Sequence, residues 1–221
     1  MRVHPEQVLI PSRFNGPPDS ANGGVTCGLV AGSLPFDVAE VTLRRPPPLG
    51  VDLRLDHGGL YDGEHLVAEA GPCEVTVLPP PAVSVEEAQA ARARFRGSVG
   101  HPFPTCFVCG PDHPDGLHLF PGSVSDDVVA VDWTPDSTDP VMVWAALDCP
   151  GGWSVDLPGR PMVLGRMACR IDTRPTPGQP HVLQGWRLGG EGRKVLTGSA
   201  LYSASGQVLA VAQATWIALD A

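Results

Sequence analysis

The sequence contains no block of lysine or arginine, and its 15 basic residues are outnumbered by 24 acidic ones, giving a formal net charge of −9. Proteins that bind nucleic acid depend on clustered cations that displace counterions from the phosphates. We therefore expect no nucleic-acid partner. A pocket with a few arginines could still hold an anionic group, because short-range contacts outweigh net charge.

Long apolar runs are also absent. No stretch approaches the ~20 residues that a helix needs to span a bilayer, so we expect no membrane span. Residues 1–12 lack a basic segment followed by an apolar core, so no secretory signal is expected. The six cysteines fit reduced thiols better than a disulfide framework in a chain of this size. Together these features predict a cytoplasmic protein.

Apolar residues make up 43% of the chain, and its 26 glycines and 25 prolines are scattered between apolar segments, which is typical of a globular protein with many turns. One boundary is clear. Ser84 is a typical helix N-cap, followed by acidic residues and an alanine-rich stretch. This pattern predicts a linking helix within residues 84–100, between an N-terminal half (1–83) and a C-terminal half (101–221).

The two halves have the same predicted order of elements: a strand, an apolar helix, then several strands. In the first half the helix is expected at residues 21–34 and in the second at 141–147. Strands are expected at residues 7–14, 39–44, 51–56, 65–70 and 74–78, and then at 128–133, 162–171, 182–188, 195–203 and 207–218. Neither helix has a clear polar face, which indicates that both are buried. The fold class is therefore α+β.

This order resembles the hotdog superfamily, in which a curved antiparallel sheet wraps a central helix. The segment from Cys106 to Leu119 (C-F-V-C-G-P-D-H-P-D-G-L-H-L) is similar to the one that leads into the first strand of small acyl-CoA thioesterases of the phenylacetate-pathway type. The resemblance implies two fused hotdog units and hydrolysis of an acyl-CoA or acyl-carrier-protein thioester. It implies no cofactor, since coenzyme A is part of the substrate, and it is compatible with a homo-oligomer.

In that family a His-Gly-Gly or similar triplet begins the central helix, and an acid follows nine positions after its first residue. The first helix here has Asn22-Gly23-Gly24 but Ala31 in place of the acid. The second has Asp148 but no glycines nine positions earlier. By this resemblance the halves complement each other, with the backbone donor from one and the carboxylate from the other, in one composite site.

Thioester hydrolysis gives each residue a role. The N–H of Gly23 or Gly24 would stabilise the oxyanion at a helix N-terminus. Asp148 would act as a general base or attack directly, and Asn15 would hold the water or the carbonyl. The candidate substrate contacts are two tryptophans that flank the acid, a nearby serine and arginines for the coenzyme A phosphates: Trp144, Trp153, Ser154, Arg13, Arg160, Arg166 and Arg170.

One feature departs from the family pattern, and two others imitate it. Pro150 is expected to end or kink the second helix soon after Asp148, because proline removes a donor and crowds the preceding turn. His57-Gly58-Gly59 copies the family triplet but follows a predicted strand, so we interpret it as a hairpin turn. Asp52 and His57 imitate the spacing of hotdog hydratases, again on a strand.

Cys106 and Cys109 form a C-x-x-C motif with His101, His113 and His118 nearby. Such a pair is half of a tetrahedral zinc site, and no second C-x-x-C follows. No metal is therefore the first expectation and zinc the alternative. A non-catalytic hotdog module that binds an acyl chain, coenzyme A or a partner is the alternative function. Hydratase chemistry is disfavoured, since no Asp…His pair begins a helix.

Overall fold

The computed structural model of the chain describes residues 6–219. The first half contains β1 (Glu6–Leu9), α1 (Gly23–Ala31), β2 (Val38–Leu43), β3 (Asp52–Asp56), β4 (Gly59–Asp62) and β5 (His65–Pro72). Helix α2 (Val85–Ala91) follows. The second half contains β6 (Gly122–Ser123), β7 (Val128–Trp133), α3 (Pro140–Trp153), β8 (Met162–Ile171), β9 (His181–Glu191), β10 (Lys194–Ser203) and β11 (Val208–Ala218).

The strands form one antiparallel sheet in the order β1-β3-β4-β5-β2-β8-β11-β10-β9-β7-β6. The halves join where β2 pairs with β8, with Val41 opposite Met167. Helices α1 and α3 pack against each other and against the strands of their own halves. Most residues of both helices are buried, as their lack of a polar face predicted. The predicted α+β class is confirmed.

Glycines allow the two central helices to approach closely. A Cβ on Gly24 would lie 2.7 Å from the carbonyl oxygen of Trp144, and one on Gly28 would lie 2.9 Å from the Cα of Val141. These two glycines are one helical turn apart, so both face α3. Their low helix propensity is therefore offset by contact between the backbones of α1 and α3.

Helix α3 corrects one of the two outcomes expected at Pro150, that the helix would end there. The helix does not end there but continues to Trp153. Contacts from the sheet account for this, because the Ser199 hydroxyl donates to the carbonyl of Leu147 at 2.6 Å. Gly185 of β9 also has no side chain that would collide with the carbonyl of Pro150. Tertiary packing thus holds a helical turn that local propensity disfavours.

Other local predictions had mixed outcomes. The linking helix begins after Ser84, whose side chain accepts from the N–H of Glu87 in a capping box. The strand predicted at residues 74–78 is wrong, since these residues lie outside any strand. His57 and Gly58 form the predicted turn, with φ of 49° and 77°, and it leads into β4, which was not predicted. Within residues 6–219, no helix is long and apolar enough to cross a bilayer.

Candidate active site

The N-terminus of α1 contacts the acid of α3 directly. The Gly24 N–H donates to the carboxylate oxygen Oδ2 of Asp148 at 2.9 Å, and the Asn22 side-chain amide donates to the same oxygen at 3.1 Å. Asp148 is only 2% exposed. A Cβ on Gly24 would lie 2.7 Å from the Cβ of Asp148, so glycine is required for this approach. The structure therefore brings Asp148 into contact with Asn22 and Gly24, which lie 126 and 124 positions earlier in the sequence.

The first turn of α1 leaves one backbone donor unused. The N–H groups of Val25 and Thr26 donate to the side chain and the carbonyl of Asn22, at 2.9 and 3.1 Å. Gly24 donates to Asp148. Among the described residues, the N–H of Gly23 has no partner. Gly23 lines a cavity, so the positive end of the helix presents a free donor there.

The environment of Asp148 favours proton uptake. Burial raises the pKa of this carboxyl to about 7, although the N–H of Gly24 and the amide of Asn22 act in the opposite direction. Its second oxygen, Oδ1, has no hydrogen-bond partner within the described part of the chain. A buried carboxylate with one uncommitted oxygen, held by two donors on the other, is suited to accept a proton from a bound water.

A cavity of about 530 Å³ adjoins these groups, a volume typical of small-molecule sites. Asn22, Gly23 and Asp148 supply polar groups to its wall. The rest of the wall is largely apolar, with side chains from both halves: Leu43, Phe103, Trp153, Met162, Leu164, Trp216 and Ile217. This cavity can therefore hold an apolar group beside the carboxylate and the helix N-terminus.

Three arginines at the cavity were not predicted as site residues. Arg44, Arg45 and Arg193 are exposed and line it. Arg44 pairs with Glu69, and the Nε of Arg193 donates to the carbonyl of Ala218 at 3.0 Å. Arg44 and Arg45 follow β2 directly and precede a proline run, a pattern that indicates a loop. The sequence carries no signal that this loop reaches the cavity.

The predicted substrate contacts on α3 and just after it do not all lie at the cavity. Trp153 lines the cavity, whereas Trp144 packs against Gly28 of α1. The hydroxyl of Ser154 donates to the carbonyl of Gly151 at 2.7 Å, at the end of α3. Ser154 and Arg160 line a different surface hollow. Trp153 is therefore the one of this group that is brought to the cavity.

The remaining predicted contacts lie in other places. Arg13 pairs with Asp115 at 3.0 Å, Arg166 with Glu40 at 3.4 Å and Arg170 with Asp172 at 2.9 Å. Asn15 donates to the hydroxyl of Thr105 at 3.1 Å and lines a separate hollow. These side chains have local partners that account for their positions.

Three thiols share the wall of the same cavity. Cys106 and Cys109 of the C-x-x-C motif are joined by Cys149, which follows Asp148 on α3. Their sulfur atoms lie within 4.8 Å of one another. The Asn22 amide also lies 3.9 Å from the sulfur of Cys106. Sequence reasoning missed Cys149, because nothing in the spacing links it to residues 40 positions earlier.

No protein-family model and no curated protein matches this chain. Solved structures do match it along nearly its whole length. The tesB protein of Mycobacterium avium subspecies paratuberculosis matches with a TM-score of 0.63 and 11% identity, covering 100% of this chain and 96% of that one. The acyl-CoA thioesterase II of Mycobacterium marinum matches with a TM-score of 0.62 and 12% identity, covering 100% and 95%.

A third structure is named for its fold alone. It is a conserved protein of unknown function with a hot dog fold from Alicyclobacillus acidocaldarius, with a TM-score of 0.64 and 8% identity, covering 98% of this chain and 94% of that one. Identities this low establish a shared architecture and not a shared activity. The likeness, together with two central helices inside one antiparallel sheet, shows that this chain has a double hotdog fold.

Proposed function

We propose that this chain hydrolyses an acyl thioester, of coenzyme A or of an acyl carrier protein, at one composite site between its two halves. The proposal depends on the 2.9 Å contact between the Gly24 N–H and the Asp148 carboxylate. This contact joins the acid of one half to the helix N-terminus of the other, beside a cavity. The free N–H of Gly23 adds the oxyanion donor that thioester hydrolysis requires.

In the proposed reaction, a water molecule attacks the carbonyl carbon of the thioester while the Asp148 carboxylate accepts a proton from the water. The N–H of Gly23 stabilises the negative charge that forms on the carbonyl oxygen. When the tetrahedral intermediate collapses, the C–S bond breaks and the leaving thiolate takes the proton from Asp148. The products are a carboxylic acid and a thiol. Asn22 keeps the carboxylate oriented through its amide at 3.1 Å.

The cavity wall supports a substrate with an acyl chain and an anionic carrier. Trp153, Met162 and Trp216 provide apolar surface for the acyl group, while Arg44 and Arg45 provide cations for phosphates. Coenzyme A and the phosphopantetheine of a carrier protein both have this chemistry. Two of the similar structures are named tesB protein and acyl-CoA thioesterase II, which supports the same reaction class. Such substrates agree with the cytoplasmic location expected from the sequence.

The central test is turnover of a panel of acyl-CoAs by the full chain, followed with a thiol reagent, in Asp148→Asn and Asp139→Asn. Asp139 caps the N-terminus of α3 by accepting from the Val141 N–H at 2.9 Å, and asparagine caps equally well. We expect kcat/KM to fall about 10³-fold in Asp148→Asn, since general base catalysis contributes roughly 10²–10⁴. Asp139→Asn should be unchanged. Wild-type turnover by a folded Asp148→Asn protein would exclude the proposed mechanism.

Two further measurements separate the alternatives. In a single turnover in H₂¹⁸O, the label enters the product acid and not Asp148 if Asp148 activates water. Label in the Asp148 carboxyl would show instead that Asp148 attacks directly and that water then opens the mixed anhydride at the Asp148 carbon. If no acyl-CoA or acyl carrier protein is hydrolysed while coenzyme A derivatives bind, the proposed hydrolysis is wrong. The chain would then be a non-catalytic binding module.

A further inference from the structure

The three thiols at the cavity wall form a compact group. Cys106 and Cys109 lie on the loop that precedes β6, and Cys149 lies on α3. All three are buried and unbridged, and the sulfur atoms of Cys106 and Cys149 are 3.9 Å apart. We propose that Cys106, Cys109 and Cys149 bind a zinc ion whose fourth coordination position opens to the cavity.

The spacing of the sulfur atoms agrees with zinc coordination. A tetrahedral zinc ion holds thiolate sulfurs at about 2.3 Å, which places two sulfurs roughly 3.8 Å apart. The separation between Cys106 and Cys149 is 3.9 Å, and no pair in the group exceeds 4.8 Å. A disulfide would require two of these sulfurs to approach to about 2.0 Å. The group is therefore much closer to the geometry of a metal site than to that of a disulfide.

The loop around Cys106 forms a tight turn. Gly110 closes the turn with its N–H on the carbonyl of Cys106 at 2.8 Å. A side chain on Gly110 would collide with the backbone of Cys106, so this turn requires glycine.

Contacts with the rest of the molecule fix this loop in place. The N–H of Phe107 donates to the carbonyl of Asn15 at 2.8 Å, and the N–H of Leu119 donates to the carbonyl of Val108 at 2.9 Å. The Nε2 atom of His101 lies 3.1 Å from the carbonyl oxygen of Cys109. The two loop sulfurs are thus presented to Cys149 by backbone contacts from both halves.

Within the described residues, no fourth histidine, cysteine or carboxylate belongs to this group. Because all three cysteines line the cavity, a water molecule or a ligand inside the cavity would complete the tetrahedron. Three protein ligands with an open position are typical of reactive zinc sites, whereas structural sites are closed by four. Metal binding here does not depend on thioester hydrolysis, since it is measured on the protein alone.

The test uses the full chain without a histidine tag, purified from zinc-supplemented cells and analysed for metal content. The apo protein is then titrated with Co²⁺, whose thiolate charge-transfer and tetrahedral d–d bands report the ligands. We expect one zinc per chain and both sets of bands. Cys149→Ser should weaken metal binding at least about 100-fold, because losing even a residue that only hydrogen-bonds to a metal ligand costs roughly 10- to 100-fold. Cys169→Ala, which removes a buried thiol outside the group, should bind as wild type.

X-ray absorption at the zinc edge tests the proposal on the wild-type chain, so the result does not depend on whether a variant folds. We expect three sulfur neighbours at about 2.3 Å and one lighter atom at about 2.0 Å. Folded protein with no bound zinc and no cobalt bands would overturn the proposal. So would a zinc ion surrounded only by nitrogen and oxygen, or Cys149→Ser with unchanged cobalt spectra.

Discussion

The two central helices differ most at their N-termini. Helix α1 begins with Gly23, whose N–H is unpaired within residues 6–219 and lies at the cavity. Helix α3 begins with Pro140, which has no N–H, and the Asp139 side chain occupies the next donor, on Val141. The acid is on the other helix, since α3 has Asp148 at the position that corresponds to Ala31 of α1. In the proposed composite site each half therefore contributes one part.

The largest effect should follow from giving α1 the acid that it lacks. Ala31 is buried and lies about one turn beyond Gly28, which packs on Val141 of α3. Ala31→Asp therefore places a carboxylate near the start of α3, where the first-turn donors are absent or already paired. We expect the free energy of unfolding to fall by about 3–5 kcal/mol at pH 8, since an unpaired buried charge is costly. Urea denaturation measures this. The loss should be smaller at pH 4, where protonation removes the charge.

An Ala31→Asp protein as stable as the wild type would contradict this comparison. It would mean that the start of α3 can accommodate a carboxylate after all. The matched control is Ala31→Ser, which adds a smaller, uncharged polar group at the same position and should destabilise less.

The second prediction concerns the close contact between α1 and Asp148. In Gly24→Ala the new methyl group would meet the Cβ of Asp148 and the backbone of Trp144 and Ala145 within 2.9 Å. We expect a loss of about 2–3 kcal/mol in stability, as for overpacked cores, and about a 100-fold loss of turnover, because the carboxylate is displaced. Gly32→Ala is the control, since its methyl group would meet nothing nearer than 3.3 Å. Equal stability and equal turnover in the two variants would contradict this prediction.

Local patterns in the sequence were sufficient for much of the fold. Alternating apolar residues predicted β7 and β8 with the bounds that the structure has. The family spacing singled out Gly24 and Asp148, and the structure brings them into contact, although their catalytic roles stay predictions. Both inferences succeed because each signal lies within about ten residues of one half: the alternation along a strand, the glycines at the start of α1, or the acid at its family position in α3.

What the sequence could not provide depends on contacts between distant segments. Pro150 lies inside a helix because Ser199 and Gly185, on two other strands, support that turn. Cys149 lies beside the cysteines of the C-x-x-C motif only because α3 packs against a loop that is 40 residues earlier in the chain. The arginines that follow β2 reach the cavity for the same reason. Such contacts are set by strand order, which local propensity does not determine.

The third prediction concerns the side chain that caps the start of α3. Asp139→Ala removes the side chain that accepts from the N–H of Val141, and we expect about 1 kcal/mol of stability to be lost. Turnover should stay within a factor of two, because this end of α3 is outside the proposed site. Thermal unfolding and steady-state kinetics on the same preparation measure both. A large loss of turnover with normal folding would indicate that the start of α3 has a functional role.

The smallest effect is expected where α3 continues past Pro150 and rests on β10. Thr197 is fully buried, and its hydroxyl has no hydrogen-bond partner among the residues that the structure describes. Thr197→Val keeps the shape and removes this unsatisfied group, so we expect a gain of about 0.5 kcal/mol. Ser199→Ala, two residues along the strand, removes a hydroxyl that donates to Leu147 at 2.6 Å and should lose about 1 kcal/mol. Chemical denaturation of both variants measures the difference. A loss in Thr197→Val would mean that this hydroxyl has a partner, such as a buried water, and that α3 is held there by more than packing.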